Sequence, residues 1–88
     1  MSIPGRSMTE ILVSSFAKNS KEEVRVSLRD YMGRHVVDLR VYVENGEGAV
    51  VPTKKGLTIS VEHYRDLRAA IDKLGKALEE HDMLEQTT

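Results

Sequence analysis

The sequence predicts an α+β fold: a four-stranded curved antiparallel sheet followed by one long C-terminal helix, dimerising through that helix. Three features predict it. Residues 24–43 alternate apolar and polar in two runs joined by Met32-Gly33, the period of half-buried strands in a hairpin. Two shorter β-prone runs follow, separated by turn signals. Residues 61–80 then carry apolar side chains at spacings of three and four, the period of a helix with a narrow apolar seam.

The hairpin sets the frame. Val24, Val26 and Leu28 share one face of the first run, and Val37, Leu39 and Val41 share one face of the second. A two-residue loop at Met32-Gly33 puts Leu28 opposite Val37, Val26 opposite Leu39 and Val24 opposite Val41. A slip of one residue would scatter these apolar pairs. Gly33 supplies the positive φ of a tight turn, although Met-Gly is a weaker signal than Asn-Gly. The other face carries Arg25, Ser27, Arg29 and Tyr31 from the first strand. Arg34, Val36, Asp38, Arg40 and Tyr42 join them from the second. Arg25 then faces Arg40, and like charges in opposition are destabilising. Two readings stay open: a solvated face partly balanced by Asp30 and Asp38, or a surface on which an anion lies.

Before the hairpin, residues 1–9 mix Pro, Gly and Ser without periodicity and read as a flexible tail within an N-terminal segment over 1–22. Residues 10–16 have the β-propensity for a short strand, with Ile11, Val13 and Phe16 available to a sheet edge or partner chain. Residues 17–23 read as a loop, and the β4α domain is expected over 23–82. After the hairpin, Asn45-Gly46-Glu47-Gly48 is a strong turn signal. Residues 49–51 form a short third strand, stopped or placed at an edge by Pro52. Thr53-Lys54-Lys55-Gly56 reads as a second turn, and 57–59 as a short fourth strand with Leu57 and Ile59 toward the core.

Ser60 reads as the helix N-cap, with Glu62 in the first turn. Tyr64, Leu67, Ile71, Leu74 and Leu78 form the seam, widened by Ala70 and Ala77. Gly75 inside the helix costs roughly 1 kcal/mol against Ala, and a close helix crossing is one reason to keep it. The helix frays after His81, and 83–88 is a tail. A second helix buries the seam in a homodimer; the alternative is a monomer whose seam packs only on its own sheet.

Eighty-eight residues predict one domain. A patterned region of roughly 60 residues buries only about 60% of its unfolded surface, so self-association is a reasonable way to complete its core. There is no cysteine, so neither a disulfide nor a thiolate metal site supplements it. No apolar run approaches the ~20 residues of a membrane span, and the start lacks the pattern of a secretory signal. The net charge of −1 argues against a globally basic nucleic-acid binder. Its distribution is uneven: residues 24–60 hold six Lys/Arg against four Asp/Glu, and residues 61–88 hold four against seven. That favours a local basic patch on the sheet.

A longer pattern runs through these elements. It comprises Val26-Ser27-Leu28-Arg29-Asp30-Tyr31-x-Gly33-Arg34, then Val37-Asp38-Leu39-Arg40-x-Tyr42, then Glu47-Gly48, then Pro52-x-Lys54-Lys55-Gly56-Leu57 and the helix. In order and spacing it resembles the transcriptional Positive Cofactor Four family from about Val24 to Leu74. The resemblance implies a curved four-stranded sheet, a dimer formed through the helices, and binding of single-stranded DNA or melted duplex along the sheets. It implies a transcriptional coactivator in eukaryotes. Smaller bacterial and phage members lack a serine- and lysine-rich arm, as this sequence does, so it looks like one of those. The expected setting is then the cytoplasm of a bacterial or phage-infected cell, near the nucleoid, or the nucleus in a eukaryote.

By position, the resemblance assigns nucleic-acid contact to Arg29, Tyr31, Arg34, Arg40, Lys54 and Lys55. Arg25, Met32 and Tyr42 are further candidates. The chemistry is coherent, since single strands are held by cations that track phosphates and by aromatic faces on which bases stack. Tyr31 is the choice for the stacking platform, against a half-buried tyrosine closing the sheet edge. Tyr42 is equally suited to the core, and Lys54-Lys55-Gly56 alone is only a solvated tip. Three positions depart from the family pattern. A common tryptophan is Val43, and two lysines are Met32 and Val51, which removes a ring and two cations.

The sequence offers no enzyme signature. His35, His63 and His81 are isolated, and no His or carboxylate cluster has metal-ligand spacing. No nucleophile has a base and orienting group, and no phosphate-loop or dinucleotide motif occurs. No metal or cofactor is expected. The expected partners are single-stranded DNA, with melted duplex or RNA as variants, a second copy of the chain, and transcription or replication proteins. The leading function is therefore a dimeric single-stranded DNA-binding protein of transcription, replication or recombination. The alternative is a protein-interaction module of the same fold with little DNA affinity.

Overall fold

The computed structural model describes residues 10–83; the tail expected over 1–9 and most of that over 83–88 lie outside the described residues. The elements in order are β1 (Glu10–Ala17), β2 (Glu22–Tyr31), β3 (Arg34–Glu44), β4 (Val50–Ser60), a 3-10 turn (Val61–His63) and α1 (Tyr64–Glu80). The strands form one antiparallel sheet in the order β1-β2-β3-β4. Four strands and a C-terminal helix are thus present, but two of the strands are divided differently from expectation.

Residues 10–17 form a full first strand, so the sheet begins ahead of position 23. β1 pairs along β2 from Glu10 opposite Arg29 to Ala17 opposite Glu23, with Val13 as an extra bulged residue. The β1–β2 turn is held by Asn19, whose Oδ1 accepts from the N–H groups of Lys21 and Glu22 at 2.9 Å each. The β2–β3 hairpin has the expected register, with Leu28 opposite Val37, Val26 opposite Leu39, Val24 opposite Val41 and Arg25 opposite Arg40. Its turn needs left-handed backbone at both loop positions, and Met32 (φ 53°) and Gly33 (φ 80°) provide it. That is the conformation of a twist-matched two-residue hairpin.

The short strands expected at 49–51 and 57–59 are one strand, β4. Between Arg40–Gly56 and Tyr42–Pro52, β3 contributes only Val41 while β4 contributes Thr53, Lys54 and Lys55. What reads as a turn is a bulge that leaves the strand's direction intact. Thr53 closes it locally, its Oγ1 donating to the Val41 carbonyl at 2.8 Å and accepting from the Lys55 N–H at 3.1 Å. Gly56 lets β4 resume close to β3: a Cβ there would lie 2.6 Å from the Leu39 carbonyl oxygen.

Ser60 does not cap α1. It is extended, opens the 3-10 turn and makes no side-chain cap bond; its hydroxyl donates instead to Glu62 at 3.4 Å. α1 does not simply fray at its far end. Asp82 is left-handed (φ 59°), and the Asp82 and Met83 N–H groups donate to the carbonyls of Glu79 (3.0 Å) and Leu78 (2.8 Å), a Schellman ending.

The sheet buries the face opposite to the one its apolar alternation favours. The most buried residues lie on the polar face: Ser27 and Asp38 at 1% exposure, Val36 at 6% and Tyr42 at 8%. A single layer encloses side chains only on the side toward which it curls, so the sheet is curved over its polar face. Val24, Val26, Val37, Leu39 and Val41 are half-buried, while Leu28 and Leu57 are exposed. α1 has no buried residue, and its main neighbour is the 3-10 turn rather than a strand. The chain measures 47 × 37 × 22 Å with a radius of gyration of 15.9 Å, against about 12 Å for a compact chain of this length.

Candidate nucleic-acid interface

The polar face is assembled by period-two alternation on three strands and by the β4 bulge. Opposed residues share a face, so Arg25, Ser27, Arg29 and Tyr31 of β2 align with Arg40, Asp38, Val36 and Arg34 of β3. Gly56, Thr58 and Ser60 of β4 complete the surface opposite Arg40, Asp38 and Val36.

Asp38 is its electrostatic centre. Arg40 donates to it through Nε at 3.2 Å and Nη2 at 2.8 Å. The Thr58 hydroxyl donates at 2.6 Å, and Arg29 Nη1 stands 3.8 Å away. Burial pushes the Asp38 carboxyl up, but the hydrogen bonds from Arg40 and Thr58 and the charges of Arg40 and Arg29 outweigh it. The net shift is below the usual carboxylate value. Arg40 is raised in turn, chiefly by its hydrogen bond to Asp38. The Ser27 hydroxyl, on the residue opposite Asp38, is buried with no hydrogen-bond partner among the described residues.

The opposition of Arg25 and Arg40 is relieved within the chain. Arg40 is bound to Asp38, while Arg25 donates to Glu23 at 2.6 Å and lies over the Tyr42 ring, 4.4 Å from its centroid. The Tyr42 ring is buried beneath Arg25. Desolvation opposes the Arg25 charge, but the Glu23 hydrogen bond dominates and raises its pKa.

Tyr31 and Met32 project at the hairpin end with 61% and 83% exposure. They line a cleft of about 650 Å³ together with Arg29, Arg34, Val36 and Thr58. Lys54 and Lys55 are exposed on the β4 bulge, away from that cleft. Among the described residues, no carboxylate lies within ion-pair distance of Arg34, Lys54 or Lys55. The expected residues therefore fall into two groups. Arg29, Tyr31, Met32 and Arg34 come together at one cleft; Arg25, Arg40 and Tyr42 are engaged internally. Asp38 and Thr58 emerge as central, and sequence reading undervalues them. Asp38 reads as mere charge compensation, and Thr58 has no signal until the bulge sets its register.

The seam residues Tyr64, Ile71 and Leu74 are 49%, 52% and 53% exposed; Leu67 and Leu78 are half-buried. No group of three metal-ligating side chains occurs among the described residues, and no helix there is long and apolar enough to cross a membrane.

Comparison with known proteins agrees with this architecture. The family model described as Transcriptional Coactivator p15 (PC4) matches residues 18–70. The RNA polymerase II transcriptional coactivator KIWI of Arabidopsis thaliana is 36% identical over 70 residues, which cover 78% of this chain and 60% of that protein. The match thus spans less than two thirds of that relative. A PC4 homolog from Burkholderia pseudomallei superimposes in its orthorhombic crystal form with a TM-score of 0.69 at 25% identity, covering 81% of this chain and 96% of the other. Its tetragonal form gives 0.70 at 27% identity, covering 76% and 98%. A bacteriophage T5 homolog of the eukaryotic coactivator PC4, implicated in recombination-dependent DNA replication, shares the fold with a TM-score of 0.61 at 20% identity, covering 89% and 84%. With more than half its length matched by the family model and the same sheet-then-helix architecture, this chain belongs to the transcriptional coactivator p15 (PC4) family.

Proposed function

We propose that the chain is a dimeric single-stranded DNA-binding protein that holds unpaired strands during transcription, replication or recombination. The observation that carries the reading is the cleft at the hairpin end. It combines an exposed aromatic ring, an exposed thioether and two guanidinium groups on a curved sheet face. Arg29 and Arg34 meet phosphates there and Tyr31 stacks on a base, worth about 1–3 kcal/mol. Lys54 and Lys55 extend the phosphate track along the β4 bulge. The dimer reading rests on the uncovered apolar surface. Tyr64, Ile71 and Leu74 of the α1 seam and the sheet residues Ile11, Phe16, Leu28 and Leu57 are all exposed, and monomers rarely leave large apolar patches in water.

The test is fluorescence anisotropy with a labelled single strand of about 20 nucleotides, competed with duplex, at two salt concentrations. The expected result is preference for the single strand, with log affinity falling by roughly 0.7 per neutralised phosphate against log salt. Absence of binding at low salt overturns the reading. One observation favours a second reading, a protein-interaction module: Arg25 and Arg40 are neutralised by Glu23 and Asp38, and the net charge is −1. That reading predicts negligible oligonucleotide binding at moderate salt.

A further inference from the structure

Resting on the single-strand reading, we propose that Arg40 serves as a flat plate for a nucleobase rather than as a phosphate clamp, and that Asp38 and Thr58 are the positioning residues that set it. The in-plane donors of its guanidinium are already used. Nε donates to Asp38, Nη2 donates to both Asp38 and Thr58, and Nη1 donates to the Thr53 carbonyl at 3.0 Å. Of the fork's five donors only one Nη1 hydrogen remains, so a bidentate grip on phosphate is closed.

The orientation follows from Gly56. A Cβ there would come within 3.0 Å of Arg40 Cζ, nearer than to any of the guanidinium nitrogens. The central carbon is the nearest guanidinium atom only for an approach over the plane. The group therefore lies flat across β4, one face resting on the Gly56 backbone and the other turned away from the sheet. The side chain keeps 18% exposure. A planar, weakly hydrated cation presented in this way stacks on π-faces. Because Asp38 neutralises Arg40, the pair releases few counterions when a strand arrives, so the contact is insensitive to salt.

The experiment measures affinity of the full chain for a labelled 20-nucleotide thymidine strand and for an abasic strand of the same length, across a salt series. Arg40→Lys keeps the charge beside Asp38 but removes the plate. It is expected to weaken the thymidine strand about tenfold and to leave the salt slope and the abasic affinity unchanged. Arg34→Ala is the phosphate-type reference, lowering the slope by roughly 0.7 on both strands. Thr58→Val releases the plate and weakens only the thymidine strand, and Thr58→Ser restores it; this pair tests the positioning even if Arg40→Lys fails to fold. Full thymidine affinity in Arg40→Lys, or a fall in slope with equal loss on the abasic strand in either the Arg40 or the Thr58 variant, overturns the inference. If the wild type binds neither strand, the functional reading falls and this inference with it; if the wild type binds and only these variants disagree, the functional reading stands alone.

Discussion

Asp38 shows how one carboxylate organises a surface of cations. It is 1% exposed and receives hydrogen bonds from Arg40 and Thr58. Removing one partner of such a pair costs on the order of 3–5 kcal/mol, so Asp38→Ala is expected to lower the urea midpoint by that equivalent. Because the folded-state pKa is depressed, the stability Asp38 adds is complete above its unfolded value of about 3.9. It is lost as pH falls below that value toward the folded pKa. Urea titrations between pH 7 and pH 2.5 should show this acid loss in the wild type and a smaller one in Asp38→Asn. Glycine acts by size at position 56. Gly56→Ala forces a methyl to within 2.6 Å of the Leu39 oxygen and 2.9 Å of Arg40 Cα, and overpacking of this kind costs about 1–3 kcal/mol. Met32 holds a left-handed conformation that suits Asn better. Met32→Asn is therefore expected to raise the urea midpoint by the equivalent of about 0.5–1 kcal/mol. Asp38 could be read as a balancing charge from its place among arginines, but its burial could not, because burial depends on how far the sheet curls.

At the scale of elements, the two sheet edges differ. β4 carries Pro52, a bulge and two exposed lysines, all devices that discourage edge pairing. β1 has a bulge at Val13 but exposes Ile11, Leu12, Val13 and Phe16 at 53–60%. α1 likewise exposes Tyr64, Ile71 and Leu74 of its seam. Leu74→Glu introduces a charge into that seam and should shift the sedimentation mass of a dimer toward the 9.9 kDa monomer. Gly75 sharpens the test, since a Cβ there meets nothing within 4 Å in the single chain. Gly75→Ala should raise the stability of the separated chain by about 1 kcal/mol and weaken a dimer in which two helices cross closely at that point. The β2–β3 hairpin was legible down to its register, because both strands carry unbroken alternation and the loop has only two residues. β4 was not. Pro52, Lys54, Lys55 and Gly56 are each turn-like, and only the presence of β3 beside them shows that the strand bulges and continues.

At the scale of the whole molecule, shape is the leading fact. A radius of gyration of 15.9 Å describes a sheet and a helix that do not enclose a common core. A chain with so little enclosed apolar surface has a small margin of stability by itself. Stability is therefore expected to depend on protein concentration, the thermal midpoint rising with concentration through the micromolar range as mass action favours the dimer. A midpoint independent of concentration, with a monomeric sedimentation mass, would count against self-association.

The sequence by itself determined the elements that depend on local pattern: the alternation of β2 and β3, the turn at Met32-Gly33, the helical period of α1, and the face on which Arg25, Arg29, Tyr31, Arg34 and Arg40 lie. It also carried the family pattern, since residue order and spacing survive without coordinates. The tertiary structure alone decided which face of the sheet is enclosed, that Thr53 to Gly56 continue a strand, and that Arg40 is engaged by Asp38, Thr58 and the Thr53 carbonyl. Those outcomes rest on sheet curvature and on contacts between residues 13 to 20 positions apart. Local periodicity carries no record of such contacts.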